Sequence, residues 1–163
     1  MVTIVPFAPE HAEGVASLIL SIQQREFGIP IGWEDQPDLH DIPAFYRRGA
    51  GDFWVAVAPG ALVGTIALDD RGEGLGVLRK MFVAPGHRGA AHGVAAGLLA
   101  ALLTRARDRG LATILLGTTS RFLAAHRFYE KNGFEEIPAE ALPAAFPKLA
   151  VDTKFYRLGL APA

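Results

Sequence analysis

The chain has 163 residues and a formal net charge of −1; 50% of it is hydrophobic and 20% charged. That length buries roughly 70% of the unfolded surface in one domain, the composition excludes an intrinsically disordered chain, and the charge balance encodes no global attraction to nucleic acid or anionic membranes. The absence of cysteine excludes disulfides, thiolate nucleophiles and cysteine-bearing zinc sites together.

In chain order, residues 3 to 7 (TIVPF) read as a short strand, and Pro9 sits where a first helical turn tolerates proline. The opening MVTIVPFAPEHAEG has neither the basic start nor the unbroken apolar core of a signal peptide. No stretch reaches the ~18 apolar residues of a membrane span, so the expectation is a cytoplasmic protein. Val15, Leu18, Ile19 and Ile22 recur at spacings of three and four, which predicts an amphipathic helix to about Phe27, stopped by Gly28 and Pro30. IGWEDQPDLHD reads as a polar loop, followed by a short helix around Ile42, Phe45 and Tyr46 that Gly49 ends. FWVAVA (53 to 58) and ALVGTIAL (61 to 68) are parted only by Pro59 and Gly60, a hairpin signature. VLRKMFV (77 to 83) follows the glycine-rich turn DDRGEGLG, and the three runs form a predicted antiparallel meander.

From Ala90 to Arg109 the pattern is helical, with Val94, Gly97, Leu98, Ala101 and Leu102 on one face, Gly110 as C-cap, and Arg105, Arg107 and Arg109 at the negative end of the dipole. LATILLGTT (111 to 119) reads as a buried strand, a helix follows from about Arg121 to Lys131, and FEEI and VDTKFYRL close the strand set. The expectation is an α+β fold in one domain, residues 1–163: a mixed, mostly antiparallel sheet of about seven strands with about four helices packed on both faces.

APGHRGAAHG (84 to 93) crowds three glycines, an arginine and two histidines between strand and helix. At a helix start the first backbone N–H groups lack partners and the dipole adds roughly half a positive charge, so an anion is favoured there. Gly89 and Gly93, with Ala90 and Ala91 between them, leave room for a phosphate to reach the amides, and Arg88 adds a cation. Equally, small residues allow tight packing of the helix on the sheet. The spacing is neither G-x-G-x-x-G nor the P-loop pattern, so a Rossmann dehydrogenase or P-loop NTPase is not supported.

MFVAPGHRGAAHGVAAGLL resembles motif A of the GNAT superfamily of acyl-CoA-dependent N-acetyltransferases, and AAHRFYEKNGFEEI resembles its motif B. Both stand in the family's order and separation. The resemblance implies direct transfer of acetyl from acetyl-CoA to a primary amine of a small-molecule acceptor. It implies cofactor contacts at the backbone of Met81, Phe82 and Val83, and at Arg88, Gly89, Ala90, Ala91, His92, Gly93 and Val94. Tyr129 occupies the motif B tyrosine and is the expected general acid. Phe122, Ala125, His126 and Tyr129 have the spacing of one helical face, so His126 is a candidate to bind the cofactor, to assist as a base, or only to pack. Ala91 replaces the usual middle glycine of motif A. Phe122 replaces the asparagine that touches the pantetheine arm, so that contact is absent or supplied from elsewhere.

The general base stays unassigned. Val77 stands where some relatives place a glutamate, and Glu73 is a weak candidate from the preceding turn. His87 and His92 are five apart with no third ligand, and no metal is expected. The regions that line the family's acceptor pockets offer Trp33, Glu34, Asp35, Asp38 and Asp41, then Arg79 and Lys80, then Phe146 and Asp152. Acids would suit a cationic amine and bases a carboxylate; the sequence does not choose. The expected partners are acetyl-CoA and an amine, with a homodimer left open and neither nucleic acid nor membrane involved. Two alternatives stand beside this reading: a non-catalytic acyl-CoA-binding regulatory module, and an enzyme acting on a protein N-terminus or lysine.

Overall fold

The computed structural model describes residues 1–161; Pro162 and Ala163, the last two residues of the expected domain, lie outside them. Strand β1 (Thr3–Pro6) leads through a 3-10 turn at Pro9–His11 into helix α1 (Ala12–Leu20). Val15, Ile19 and Ile22 are buried, as their spacing demands. The helix continues as a π-helical turn, Ser21–Glu26, in which the Phe27 amide donates to the Ile22 carbonyl five residues back at 3.1 Å. Gly28 ends it at φ +59°. The stretch read as a polar loop holds 3-10 turns at Trp33–Asp35 and Pro37–Leu39, and α2 (Ile42–Tyr46) follows, capped by Asp41.

Strands β2 (Asp52–Ala58), β3 (Ala61–Asp70) and β4 (Leu75–Val83) form the expected antiparallel meander. Next come α3 (Val94–Asp108), β5 (Thr113–Thr118), α4 (Leu123–Lys131), β6 (Glu135–Ile137) and β7 (Lys154–Gly159). Helix α3 begins four residues later than the sequence predicts. Its N-cap, Gly93, has φ +67° and ψ 9°, and Gly89 has φ +100°; two left-handed residues in this stretch cannot belong to an α-helix.

The seven strands form one sheet in the order β1-β2-β3-β4-β5-β7-β6. Among the described residues only β4 and β5 are parallel, and only through Leu75↔Thr113, Gly76↔Ile114 and Val77↔Leu115. Beyond Val77 they part. There β4 also carries a bulge: Arg79 opposes Ala67 and Phe82 opposes Thr65, which leaves Lys80 and Met81 against Ile66 alone. Lys80 takes φ +53°, and its carbonyl accepts the Thr65 hydroxyl at 2.7 Å. Such a bulge bends the strand and interrupts its side-chain alternation.

Helices pack on both faces. On one, Leu98 and Leu102 of α3 and Tyr129 of α4 bury against Ile66, Leu68, Ile114 and Leu116. On the other, Val15 and Ile19 of α1 and Ile42 and Tyr46 of α2 bury against Phe53, Val55 and Ala67. Each fully buried Leu or Ile contributes about 1.5–3 kcal/mol. A third cluster, Val77, Leu115, Phe146 and Phe155, seats the segment before β7 against the diverging strands.

Candidate active site

The divergence of β4 and β5 opens a cleft of about 880 Å³, lined also by the π-helical turn, the loop after β4, the start of α4 and the segment before β7. Along it the β5-facing edge of β4 has no strand partner among the described residues. Met81, Phe82 and Val83 border the cleft there, and an unpaired strand edge offers its amides and carbonyls to an extended ligand.

At one end lie Gly89, Ala90 and Gly93. A Cβ on either glycine would meet no atom within 4 Å, so positive φ, not crowding, requires glycine here. Among the described residues the amides of Gly89, Ala90, Ala91 and Gly93 have no hydrogen-bond acceptor, and the first-turn amides of α3 add to this array. Ala91 does not have a positive φ, so the usual glycine is not needed at that position. Arg88 is not the free cation expected: Nη1 and Nη2 donate to Glu26 at 2.5 and 2.7 Å, and Nε donates to the Val83 carbonyl at 2.8 Å. Ala91 and His92 border a separate hollow with Met1, Val2 and His87 instead of the cleft. The Val94 side chain belongs to the core; only its amide is at the helix start.

At the point of divergence stands Tyr129. Its ring is buried against Phe134, Phe128 and Tyr156 at centroid distances of 5.6, 5.9 and 5.9 Å, yet it borders the cleft. Its hydroxyl has no hydrogen-bond partner among the described residues and is not sealed from the cleft. Burial holds the phenol well above its ordinary pKa. His126 does not share this outlook. Its Nε2–H donates to the Thr119 carbonyl at 2.9 Å and its ring lies 6.1 Å from Tyr156, so of the three uses open to it the contacts are structural. The single-face argument fails because Phe122 is the N-cap of α4, with ψ 60°, and not a helical residue. Phe122 borders the cleft instead, edge-on to Phe27 at 4.7 Å and Phe82 at 6.4 Å, an apolar wall where the motif's amide would stand.

The opposite end holds Arg79, Lys80, Phe146 and Asp152, with Val77 and Gln23. Trp33, Glu34, Asp35, Asp38, Asp41 and Glu73 do not border the cleft. Asp35 accepts the Gly32 amide at 2.8 Å and Asp41 the Ala44 amide at 3.2 Å. Asp38 is buried and accepts the Tyr46 hydroxyl at 2.5 Å. Two residues the sequence reading missed complete this network. Gln36 and Gln23 exchange side-chain hydrogen bonds at 2.9 and 3.1 Å, and Lys80 Nζ donates to Gln36 Oε1 at 2.6 Å. Burial, with Arg79 alongside, pulls the Lys80 ammonium down to about 8 against the opposing pull of Asp38. Burial raises the Asp152 carboxyl.

The family model for the Acetyltransferase (GNAT) family matches residues 17–134. A GNAT-family acetyltransferase from Staphylococcus aureus Mu50 superposes with a TM-score of 0.94 at 37% identity, over 99% of this chain and 100% of that one. An N-acetyltransferase from Thermoplasma acidophilum, solved with coenzyme A, shares the fold at TM-score 0.75 and 15% identity, over 98% and 99% of the chains. The N-acetylaspartate synthetase of Danio rerio is 37% identical over 102 residues, which are 61% of this chain and 36% of that protein. The chain thus spans about a third of that curated relative.

Proposed function

The chain belongs to the Acetyltransferase (GNAT) family, and from that premise we propose that it transfers acetyl directly from acetyl-CoA to a primary amine of a small-molecule acceptor. The observation that carries the reading is one continuous cleft that joins three unlike surfaces: the amides of Gly89, Ala90 and Gly93, a strand edge at Met81–Val83, and the Tyr129 phenol, each without a partner among the described residues. The amides suit a pyrophosphate. The strand edge suits an arm that carries amides of its own.

Transfer forms a C–N bond at the acetyl carbon and breaks its C–S bond. The amine sheds a proton, and the departing sulfur must be stabilised or protonated. Tyr129 is the residue for the sulfur, because its hydroxyl hydrogen has no competing acceptor. A peptide N–H of Met81–Val83 polarises the acetyl carbonyl. No carboxylate stands where the family's glutamate would, since Val77 is there and buried, so the amine's proton leaves through water or to a carboxylate at the acceptor end.

The test is a panel of primary amines with acetyl-CoA, read by release of free thiol. Turnover on a small amine supports the reading, and turnover confined to peptide N-termini or lysines redirects it to protein substrates. Tight acetyl-CoA binding with no turnover on any amine would replace it with a non-catalytic binding module, a reading that Phe122 in place of the motif's asparagine favours.

A further inference from the structure

Arg79 and Lys80 are adjacent in β4, and in a regular strand their side chains would leave opposite faces of the sheet. The bulge at Lys80 cancels that alternation. Arg79 lies over the rings of Phe45 and Tyr46 at 5.5 and 5.9 Å, Lys80 reaches Gln36 at 2.6 Å, and both border the same end of the cleft. Two largely buried cations therefore stand side by side.

Neither is fully neutralised. Arg79 Nη1 donates to Asp69 at 3.3 Å, but Asp69 is shared with Arg71 at 3.1 Å. The Nε and Nη2 of Arg79 have no hydrogen-bond partner among the described residues and keep some solvent exposure, although the side chain is only 13% exposed. Lys80 Nζ stands 3.7 Å from Asp38, which already accepts the Tyr46 hydroxyl. The carboxylate that does border this end is Asp152. It is seated over β5, where a Cβ on Gly117 would fall 2.7 Å from its Oδ2, and it accepts the Leu149 amide at 2.9 Å.

We propose that this end of the cleft binds the acceptor as an amino acid, its carboxylate held by Arg79 and Lys80 and its ammonium by Asp152. The proposal rests on the acetyltransferase reading and names its acceptor class. A planar guanidinium with two unspent donors is matched by a carboxylate, which accepts two parallel N–H bonds. A diamine would instead bring a second ammonium to an end whose two cations face the cleft with Asp152 as the one bordering carboxylate among the described residues. A lysine in a protein brings no carboxylate near its amine.

The experiment pairs each amino acid with its decarboxylated amine: leucine with 3-methylbutylamine, phenylalanine with phenethylamine, and spermidine and a lysine peptide alongside. The expected result is a kcat/KM about 10- to 100-fold higher for at least one amino acid than for its decarboxylated partner, the factor a charge-assisted hydrogen bond supplies. Arg79→Gln should bring that ratio to within a few-fold by raising the KM for the amino acid. Lys80→Gln gives the same direction without breaking the Asp69 pair, should Arg79→Gln unfold, whereas Asp152→Asn should raise the KM of both members of a pair and leave their ratio unchanged. Equal or better turnover of decarboxylated amines, spermidine or the lysine peptide overturns the proposal and leaves the acetyltransferase reading intact. If no amine turns over, calorimetric titration of leucine and phenylalanine into protein saturated with CoA decides: binding lost in Lys80→Gln supports the site, and no binding overturns it.

Discussion

Replacing Tyr129 with phenylalanine separates chemistry from packing. The ring is 4% exposed and packs against three aromatic neighbours, contacts that phenylalanine keeps. The hydroxyl has no partner to abandon, so its removal strands no polar group and should change stability by less than about 1 kcal/mol. The effect on rate follows from acidity. A thiol has a reference pKa near 8.5 and a phenol near 10, and one unit is worth about 1.4 kcal/mol. Because burial lifts Tyr129 further, full transfer of its proton to a thiolate is uphill by more than about 2 kcal/mol. Its contribution is then a hydrogen bond to developing negative charge, worth about 1.5–3 kcal/mol. That converts to a loss of about 10- to 150-fold in kcat, well below the upper range of general acid catalysis. The loss should be constant between about pH 6 and about pH 9, since a phenol of raised pKa stays protonated throughout. The assay is single-turnover acetyl transfer with the best amine of the panel, beside acetyl-CoA affinity by calorimetry and a thermal melt. Unchanged kcat where single turnover shows chemistry to be limiting would refute the assignment. A loss beyond about 10⁴-fold would refute the acidity argument instead and make proton transfer obligatory.

Gly93→Asp should keep the fold, since Asp tolerates left-handed φ better than most residues and caps helices, while acetyl-CoA affinity falls at least about tenfold because a carboxylate occupies the anion site; unchanged affinity would remove the loop from the cofactor site. Gly117→Ala moves only the end of the Asp152 side chain, so the acceptor KM should rise about tenfold with acetyl-CoA affinity retained; unchanged KM would detach Asp152 from the acceptor. The sign for Lys80 is fixed by its depressed pKa: the folded chain releases this proton near pH 8 and the unfolded chain near 10.5, so stability rises with pH across that window. Urea unfolding at about pH 7 and about pH 10 should show wild type gaining on Lys80→Met, and a pH-independent difference would contradict the burial of a charged lysine. The same deprotonation should raise the KM for a carboxylate-bearing acceptor above pH 8, and Lys80→Arg should flatten that rise.

Much of this architecture was legible because it is local. The β2–β3 hairpin follows from two apolar runs and Pro59-Gly60, and the buried stripe of α1 from Val15, Ile19 and Ile22. The sequence predicts the start of α3 four residues early because alanine and glycine between 89 and 93 are composed like a helix; what stops them is the sign of φ at two glycines, which composition does not carry. The 31–41 stretch reads as a polar loop because it is rich in acids, yet Asp38 and Gln36 are buried. Their partners Tyr46, Gln23 and Lys80 are 8, 13 and 44 residues away, beyond the reach of any local pattern.

The acceptor end is the sharpest case. Arg79 and Lys80 were both visible as cations, and the period-two rule sends one to each face of the sheet, so no shared site follows from their adjacency. The extra residue opposite Ile66 undoes the rule. A non-glycine residue at φ +53° is uncommon and costs of order 1 kcal/mol, and here the Thr65 hydroxyl bonded to the Lys80 carbonyl offsets part of it. In the same stretch the bulge bends β4 where it leaves β5. One register shift therefore accompanies the opening that admits a ligand and places two cations at its far end. Reverting it, by deleting Met81, would return Lys80 to the face lined by α3 and α4, where no carboxylate waits for it, and should abolish folding before activity can be measured.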